Sequence, residues 1–410
     1  MNQQAIQISE HVWWVGAIDA PLREFHGYTL DHGTTYNAFL ILGGESPVLI
    51  DAVKAPFYPE LRARVESVLG DFRKIRILVS NHAEGDHSGA IPAILADVPG
   101  IQTYASPMGC RILDAQYGIG AALTPLKTGE ELPLGNGLSL RALETRMIHW
   151  PDSMFTYLPA DRLLFSQDGF GMHLAVTPDR LWVSRQDPAL VEAEMRSYFA
   201  NILLPYTSLI QNLLKTVASL HWPIDLIAPD HGPLWRGPDE IAIPLSRYAT
   251  WAAQQPARRA VIAYDTMWGA TGQMAHAIAD ALRAENVPTD LFNLHHHSRS
   301  DVATAVLCAG ALLIGTPTLN NTLFPSLADT LCYLRGLRPK NLKTAVFGSY
   351  GWGGEGTAHA AALLEDMKLP PFAPPLKLPF ASTPAHFEAC RAFARQLAAE
   401  LPDAPPAPPA

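Results

Sequence analysis

Basic residues are scarce. Lys and Arg number 30 against 39 Asp and Glu, a formal net charge of −9. Coating nucleic acid takes a surplus of positive charge, so no nucleic-acid partner is expected. Long apolar runs are missing too. None approaches the roughly 20 residues of a membrane-spanning helix, and no membrane partner is expected. The opening residues, MNQQAIQISEHVWWVGAI, carry neither the basic stretch nor the small-residue cleavage site of a secretory signal. The expected location is the cytoplasm. Cysteine is sparse: Cys110, Cys308, Cys332 and Cys390 are widely scattered, with no Cys-x-x-Cys pair. That excludes a disulfide framework and any appended rubredoxin-type or zinc-ribbon module. What the chain has is bulk. Its 410 residues are 48% hydrophobic, enough for two or three cored domains and too apolar for a disordered protein.

Two segments differ in grammar. Up to about Pro244, strands mix with long loops. Asn37–Leu42 and Val48–Val53 predict a hairpin around Gly43-Gly44, and Pro59–Leu69 has helical spacing. Ile75–Val79 predicts a short buried strand running straight into Ser80-Asn81-His82. From Arg259 the pattern turns regular. Apolar runs at Ala260–Tyr264, Asp290–Leu294, Ala311–Gly315, Lys343–Gly348 and Leu376–Pro379 alternate with helical stretches such as Gln273–Ala284. Together they predict a five-stranded, parallel, doubly wound sheet. The expected organisation is α/β throughout, with one domain over residues 1–250 and a second over 259–400. The join is expected near Thr250–Arg258, and a disordered Pro/Ala-rich tail over 401–410.

The densest chemistry is NHAEGDHSG, Asn81–Gly89, which places His82, Glu84, Asp86 and His87 within six residues just after a strand. Alternate positions of an extended loop point the same way, so His82, Glu84 and Asp86 are expected to converge on one small volume. Packed that tightly, such groups repel or go unsatisfied without a cation. Further candidates stand where strands give way to loops: His149 before Pro151-Asp152-Ser153, Asp168 closing RLLFSQD, and His231 after DLIAPD. An α/β scaffold presents its active groups at such strand ends.

The second segment opens with AVIAYDTMWGAT. A strand, then Thr266-Met267-Trp268-Gly269-Ala270-Thr271, then a helix, predicts a phosphate cradle in which backbone N–H groups and hydroxyls meet the positive helix end. It is neither a Walker A loop nor a G-x-G-x-x-G fingerprint. Thr316-Pro317-Thr318-Leu319-Asn320 follows the third predicted strand and Ser349-Tyr350-Gly351-Trp352-Gly353-Gly354 the fourth. In a doubly wound sheet these loops flank the ligand crevice. Glycine lets a planar ring approach, and Tyr350 or Trp352 offers a stacking face. The three loops together predict an FMN site.

The first constellation resembles the metallo-β-lactamase superfamily pattern H-x-H-x-D-H followed by a distant His, Asp and His, with Glu84 in place of the second histidine. A carboxylate there hardens the site and moves its preference from zinc towards iron or manganese. The TMWGAT loop resembles the flavodoxin phosphate loop. The combination resembles the flavodiiron proteins over about residues 5 to 400, with FHGYTLDHGTTYNAFLI, HWPDSMFTYL, TMWGAT and SYGWGG as further matching stretches. The resemblance implies a metallo-β-lactamase-like αβ/βα sandwich followed by a flavodoxin-like doubly wound sheet. It implies FMN and two iron ions, one held by His82, Glu84 and His149, the other by Asp86 and His231, with Asp168 bridging. His87 matches a position that ligates in some members and is displaced by water in others. His26 and Tyr198 match pocket residues that donate protons or hydrogen bonds to a bound diatomic. Gly169, and Met172-His173, depart from the residues common at those places.

The implied reaction is reduction of O2 to water, of NO to N2O, or both, with electrons passing through FMN. They would come from a separate donor such as rubredoxin or a rubredoxin reductase system. Because the flavin lies far from the irons of its own chain in this family, a head-to-tail homodimer or homotetramer is expected. The competing reading is a dizinc hydrolase with a regulatory flavodoxin-like domain. Glu84 argues against it. His295-His296-His297 is read as a surface loop, and Trp13-Trp14 and Trp222 as packing aromatics.

Overall fold

The computed structural model describes residues 3–403; the expected tail lies, beyond Asp403, outside the described residues. The chain divides into two compact units. One holds the residues up to His26, Leu30–Tyr198 and Ser208–Ala249; the other holds Gly27–Thr29, Phe199–Thr207 and the described residues from Thr250 on.

The first unit is built on two sheets. Seven strands, from Ile6–Gln7 to Leu123–Pro125, hydrogen-bond in chain order, apart from Ala17–Asp19 and Thr34–Tyr36, which form a ribbon of their own. Phe39–Ile41 pairs antiparallel with Val48–Ile50, the expected hairpin, and Val48–Ile50 then runs parallel to Ile77–Ser80. The helix Tyr58–Leu69 buries Leu61 and Val65 against Leu40, Leu49 and Leu78 of this sheet and stops at Gly70, whose φ of 73° suits glycine. The second sheet runs from Glu131–Gly135 to Trp235–Arg236 in six strands, again in chain order. Phe39 of one sheet meets Phe165 of the other at 5.3 Å between ring centroids.

Strand direction collects the candidate residues at one end. Leu163–Gln167 and Leu226–Pro229 are parallel, with Gln167 opposite Pro229, so Asp168 and Asp230-His231 emerge side by side. Leu138–Glu144 and Met154–Leu158 are antiparallel, and the turn between them, carrying His149, opens at that same end. Met154 N donates to Asn81 O at 3.0 Å, tying this end of the second sheet to the loop after Ile77–Ser80.

The second unit has five parallel strands in the order Thr289–Asn293, Ala260–Tyr264, Ala311–Gly315, Lys343–Tyr350, Leu376–Pro379. This is the expected doubly wound sheet. Ala260–Tyr264 and Ala311–Gly315 are buried throughout, which is why they read as continuous apolar runs. The helices Ala270–Ala284 and Pro384–Glu400 share a core with them: Met274, Ile278 and Leu282 pack with Phe393, Leu397, Ile262 and Leu313. The first helix begins at Ala270, three residues before its expected start, so Ala270 and Thr271 belong to its first turn.

Candidate functional site

The extended-loop expectation holds only as far as Glu84, whose φ/ψ of −63°/147° makes it the N-cap of a helical turn, Gly85–Ser88. Asp86 and His87 therefore project from a turn of helix. His82 and Glu84 accordingly join one group of candidate ligands, and Asp86 and His87 another. In the first group are His82, Glu84, His149 and Asp168; in the second, Asp86, His87 and His231.

Asp168 stands between the groups. Its Oδ2 lies 3.2 Å from His82 Nε2 and 3.0 Å from His149 Nε2, while its Oδ1 lies 3.2 Å from His87 Nε2 and 3.5 Å from His231 Nε2. Glu84 Oε2 completes the first group at 3.3 Å from His82 Nε2 and 3.2 Å from His149 Nε2. Asp86 Oδ2 completes the second at 3.5 Å from His87 Nε2 and 3.4 Å from His231 Nε2. All of these side chains are buried except that of His149, which keeps 11% exposure.

The electrostatics follow from crowding. Burial pushes the three carboxyls up, but the surrounding imidazoles outweigh it and hold Glu84 and Asp86 below, and Asp168 well below, the usual carboxylate range. Burial pulls His149 down, yet its hydrogen bonds to Asp168 and Glu84 raise it to about 9. Both oxygens of Asp86 are buried with no hydrogen-bond partner, and so is Asp168 Oδ1. His87 Nε2 and His231 Nε2 face each other at 3.1 Å, two nitrogens aimed at one point. Orphaned buried anions and converging lone pairs are costly in a protein interior and are resolved together by cations. The residues fit a pair of metal ions. A donor set of carboxylates and imidazoles without thiolate suits iron or manganese.

Behind the imidazoles stand groups the sequence did not single out. His82 Nδ1 lies 3.1 Å from Asp152 Oδ2, which also accepts from Ala83 N at 2.6 Å. His231 Nδ1 donates to Thr35 O at 2.7 Å. These partners fix which nitrogen each ring turns towards the carboxylates. Asp152 lies within HWPDS and was legible only as a neighbour of His149; Thr35 acts through its backbone, which no sequence pattern reveals.

His26 is brought in from the side. Its side chain is 67% exposed and its Nε2 lies 2.8 Å from Glu84 Oε1. Its imidazole is raised, chiefly by that hydrogen bond. Tyr198 is buried; its ring lies 5.0 Å from His173 and 6.2 Å from His231, at the edge of the second group.

In the second unit the three predicted loops leave the same end of the sheet, because Tyr264, Gly315 and Phe347 are neighbours on parallel strands. Thr271 Oγ1 and Ser349 Oγ are hydrogen-bonded at 2.7 Å, joining the first loop to the last. Thr266 Oγ1 is buried without a hydrogen-bond partner. Gly269, with φ 85°, turns the chain into the helix. Trp268 and Trp352 are 95% and 90% exposed, and Met267 is 44% exposed, unusual for such large apolar side chains. An orphan hydroxyl in the loop leading to a helix N-terminus, together with two exposed aromatics on the loops, fits a phosphate-bearing planar ligand. The remaining predicted residues differ in what they offer. Thr316 spends its hydroxyl on Pro317 O at 2.7 Å and Phe324 N at 3.3 Å. Thr318 and Leu319 form a small ribbon turning at Asn320. The fourth strand runs to Tyr350, two residues past its expected end, so Ser349 and Tyr350 belong to it, and Gly351 and Gly353 follow.

Residues 34–232 match the family model "ODP family beta lactamase", and residues 262–368 match the Flavodoxin model. A nitric oxide reductase of Moorella thermoacetica is 42% identical over 86% of this chain and 87% of its own. A rubredoxin-oxygen oxidoreductase of Megalodesulfovibrio gigas is 37% identical over 97% and 98%. Among solved structures, the flavodiiron protein of Giardia intestinalis superposes with a TM-score of 0.90 at 31% identity, over 97% of this chain and 96% of that one. The chain belongs to the flavodiiron proteins. Within that family the two groups around Asp168 are the candidate di-iron centre, and the loops of the second unit the candidate FMN cradle. The hydrolase reading is not favoured.

Proposed function

We propose that this flavodiiron protein is an oxidoreductase that reduces O2 to water, NO to N2O, or both, using FMN and two irons. One observation carries the reading: the two oxygens of Asp168 face two separate ligand groups, one of which contains Glu84 where an imidazole would favour zinc. His82, Glu84 and His149 would hold one iron, and Asp86 and His231 the other, with Asp168 between them. When bound, the irons supply a place for a diatomic and the electrons to reduce it, replenished through FMN.

The chain's own residues have three tasks. Asp152 and Thr35 hold the His82 and His231 rings so that Nε2 is the free nitrogen. Buried walls such as Tyr36 and Tyr198 exclude bulk water. His26, between solvent and Glu84, would donate protons that reduction consumes, and Tyr198 would donate a hydrogen bond to the diatomic. Burial, with Asp168 adding, raises the Tyr198 phenol well above its ordinary value, so it keeps its proton and can only donate a hydrogen bond. The TMWGAT loop and the first turn of Ala270–Ala284 would take the FMN phosphate, and Trp268, Tyr350 or Trp352 would flank the ring.

Electrons would arrive from a separate protein such as rubredoxin or a rubredoxin reductase system. The working form would be a cytoplasmic head-to-tail homodimer or homotetramer. The test is anaerobic: protein carrying iron and FMN, chemically reduced, is mixed with NO or O2. N2O measured by gas chromatography, or O2 uptake at an electrode, is the expected result. Turnover of neither gas by fully loaded protein would overturn the reading.

A further inference from the structure

Whether His87 binds metal is the point the family resemblance leaves open. The residue that bears on it is Asp230. It is fully buried, beside His231 in sequence, and neither of its carboxylate oxygens has a hydrogen-bond partner among the described residues. The polar side-chain atom that faces it is His87 Nδ1, 3.5 Å from Oδ2, and that nitrogen also has no hydrogen-bond partner. The nearby acid Asp51 is engaged elsewhere, accepting from Asn81 N at 2.6 Å and Asn81 Nδ2 at 2.8 Å.

Two neighbouring rings show what such an arrangement does. His82 turns Nε2 to Glu84 and Asp168 with Nδ1 against a carboxylate, Asp152. His231 turns Nε2 to Asp86 and Asp168 with Nδ1 against a carbonyl, Thr35 O. His87 repeats the pattern: Nε2 faces Asp168, Asp86 and His231 Nε2, and Nδ1 faces Asp230. A carboxylate behind an imidazole fixes the proton on Nδ1, leaves the Nε2 lone pair for metal, and is itself stabilised by the positive charge the ring acquires. That would account for a buried carboxyl with no other partner.

We propose that Asp230 is a positioning residue that commits His87 to coordinating the second iron, so that this centre uses all four histidines. The inference rests on the di-iron reading. Asp230 would hold the ring through its Oδ2, which stands 3.5 Å behind Nδ1, and it makes no contact with the reacting gas.

The test is iron binding and Mössbauer spectroscopy of 57Fe-loaded wild type, Asp230→Leu and Asp230→Asn, each with and without His87→Ala. Leu keeps the volume and removes the acceptor; Asn keeps an uncharged acceptor. In Asp230→Leu we expect the affinity for one of the two irons to fall about tenfold or more, and only that iron's quadrupole splitting to change. Asp230→Asn should lie between Leu and wild type. In the His87→Ala background, Asp230→Leu should have no further effect. Unchanged affinity and spectra in Asp230→Leu would overturn the proposal. So would an equal loss with His87 already removed, since Asp230 would then act through packing alone. A wild type that takes up no iron would overturn the di-iron reading itself and this inference with it.

Discussion

Glu84 decides the chemistry of the first ligand group. A carboxylate there adds negative charge and hard oxygen donors, which favour iron that must reach the ferric state. Glu84→His should shift loading from iron towards zinc in a competition with both metals, and should abolish NO and O2 turnover. Retained turnover with iron still bound would contradict this role. Away from the ligands, Glu194 adds a pH dependence of its own. Glu194, on the helix Pro188–Tyr198, is pushed up to about 7 by burial, with Asp31 adding to the rise from an ordinary 4.5. The fold therefore prefers the neutral acid, and the stability this confers is full below pH 4.5 and is lost as pH rises through 7. Glu194→Gln should raise stability to urea at pH 8 by about 1–2 kcal/mol and leave it unchanged at pH 4. The magnitude is kept low because the side chain retains 12% exposure and His32 Nε2 lies 3.8 Å away. Equal shifts at both pH values would contradict it. At this scale His82, Glu84, Asp86 and His87 were legible because six residues crowd so many ligands together. Asp152 and Asp230 were not: each is one acid among 39, and only a distance to an imidazole gives it a role.

Elements explain which loops matter. The helix Ala270–Ala284 starts from Gly269 in a left-handed conformation, φ 85°, and a Cβ there would meet nothing nearer than Gln273 Nε2 at 3.8 Å. Space is not the constraint; the backbone is. Gly269→Val should cost about 1–2 kcal/mol in holding the loop and weaken FMN binding roughly tenfold, read by flavin fluorescence titration, with the fold retained. Undiminished affinity would remove this loop from the flavin site. The strands of the second unit were legible because Ala260–Tyr264 and Ala311–Gly315 are covered on both faces and read as unbroken apolar runs. Much of the first unit was not. Trp235–Arg236 has two residues, too few for any period, and Glu131–Gly135 alternates around a bulge. The turn Gly85–Ser88 was missed because glycine and three polar residues carry no helical signal; its Glu84 cap makes no side-chain hydrogen bond either.

At the scale of the whole molecule the chemistry is divided. One unit gathers seven candidate metal ligands; the other gathers the loops of the flavin cradle. The proposed head-to-tail assembly predicts a native mass at least twice that of one chain by sedimentation equilibrium. A fully active monomer would contradict it. Everything else depends on the two cofactors being present together. The decisive measurement is the metal and flavin content of anaerobically purified protein, by elemental analysis with the visible spectrum. The account predicts about two irons and about one FMN per chain, as one carboxylate-bridged pair of ligand groups and one phosphate cradle require. About two zincs with little flavin would contradict it and return the chain to hydrolase chemistry.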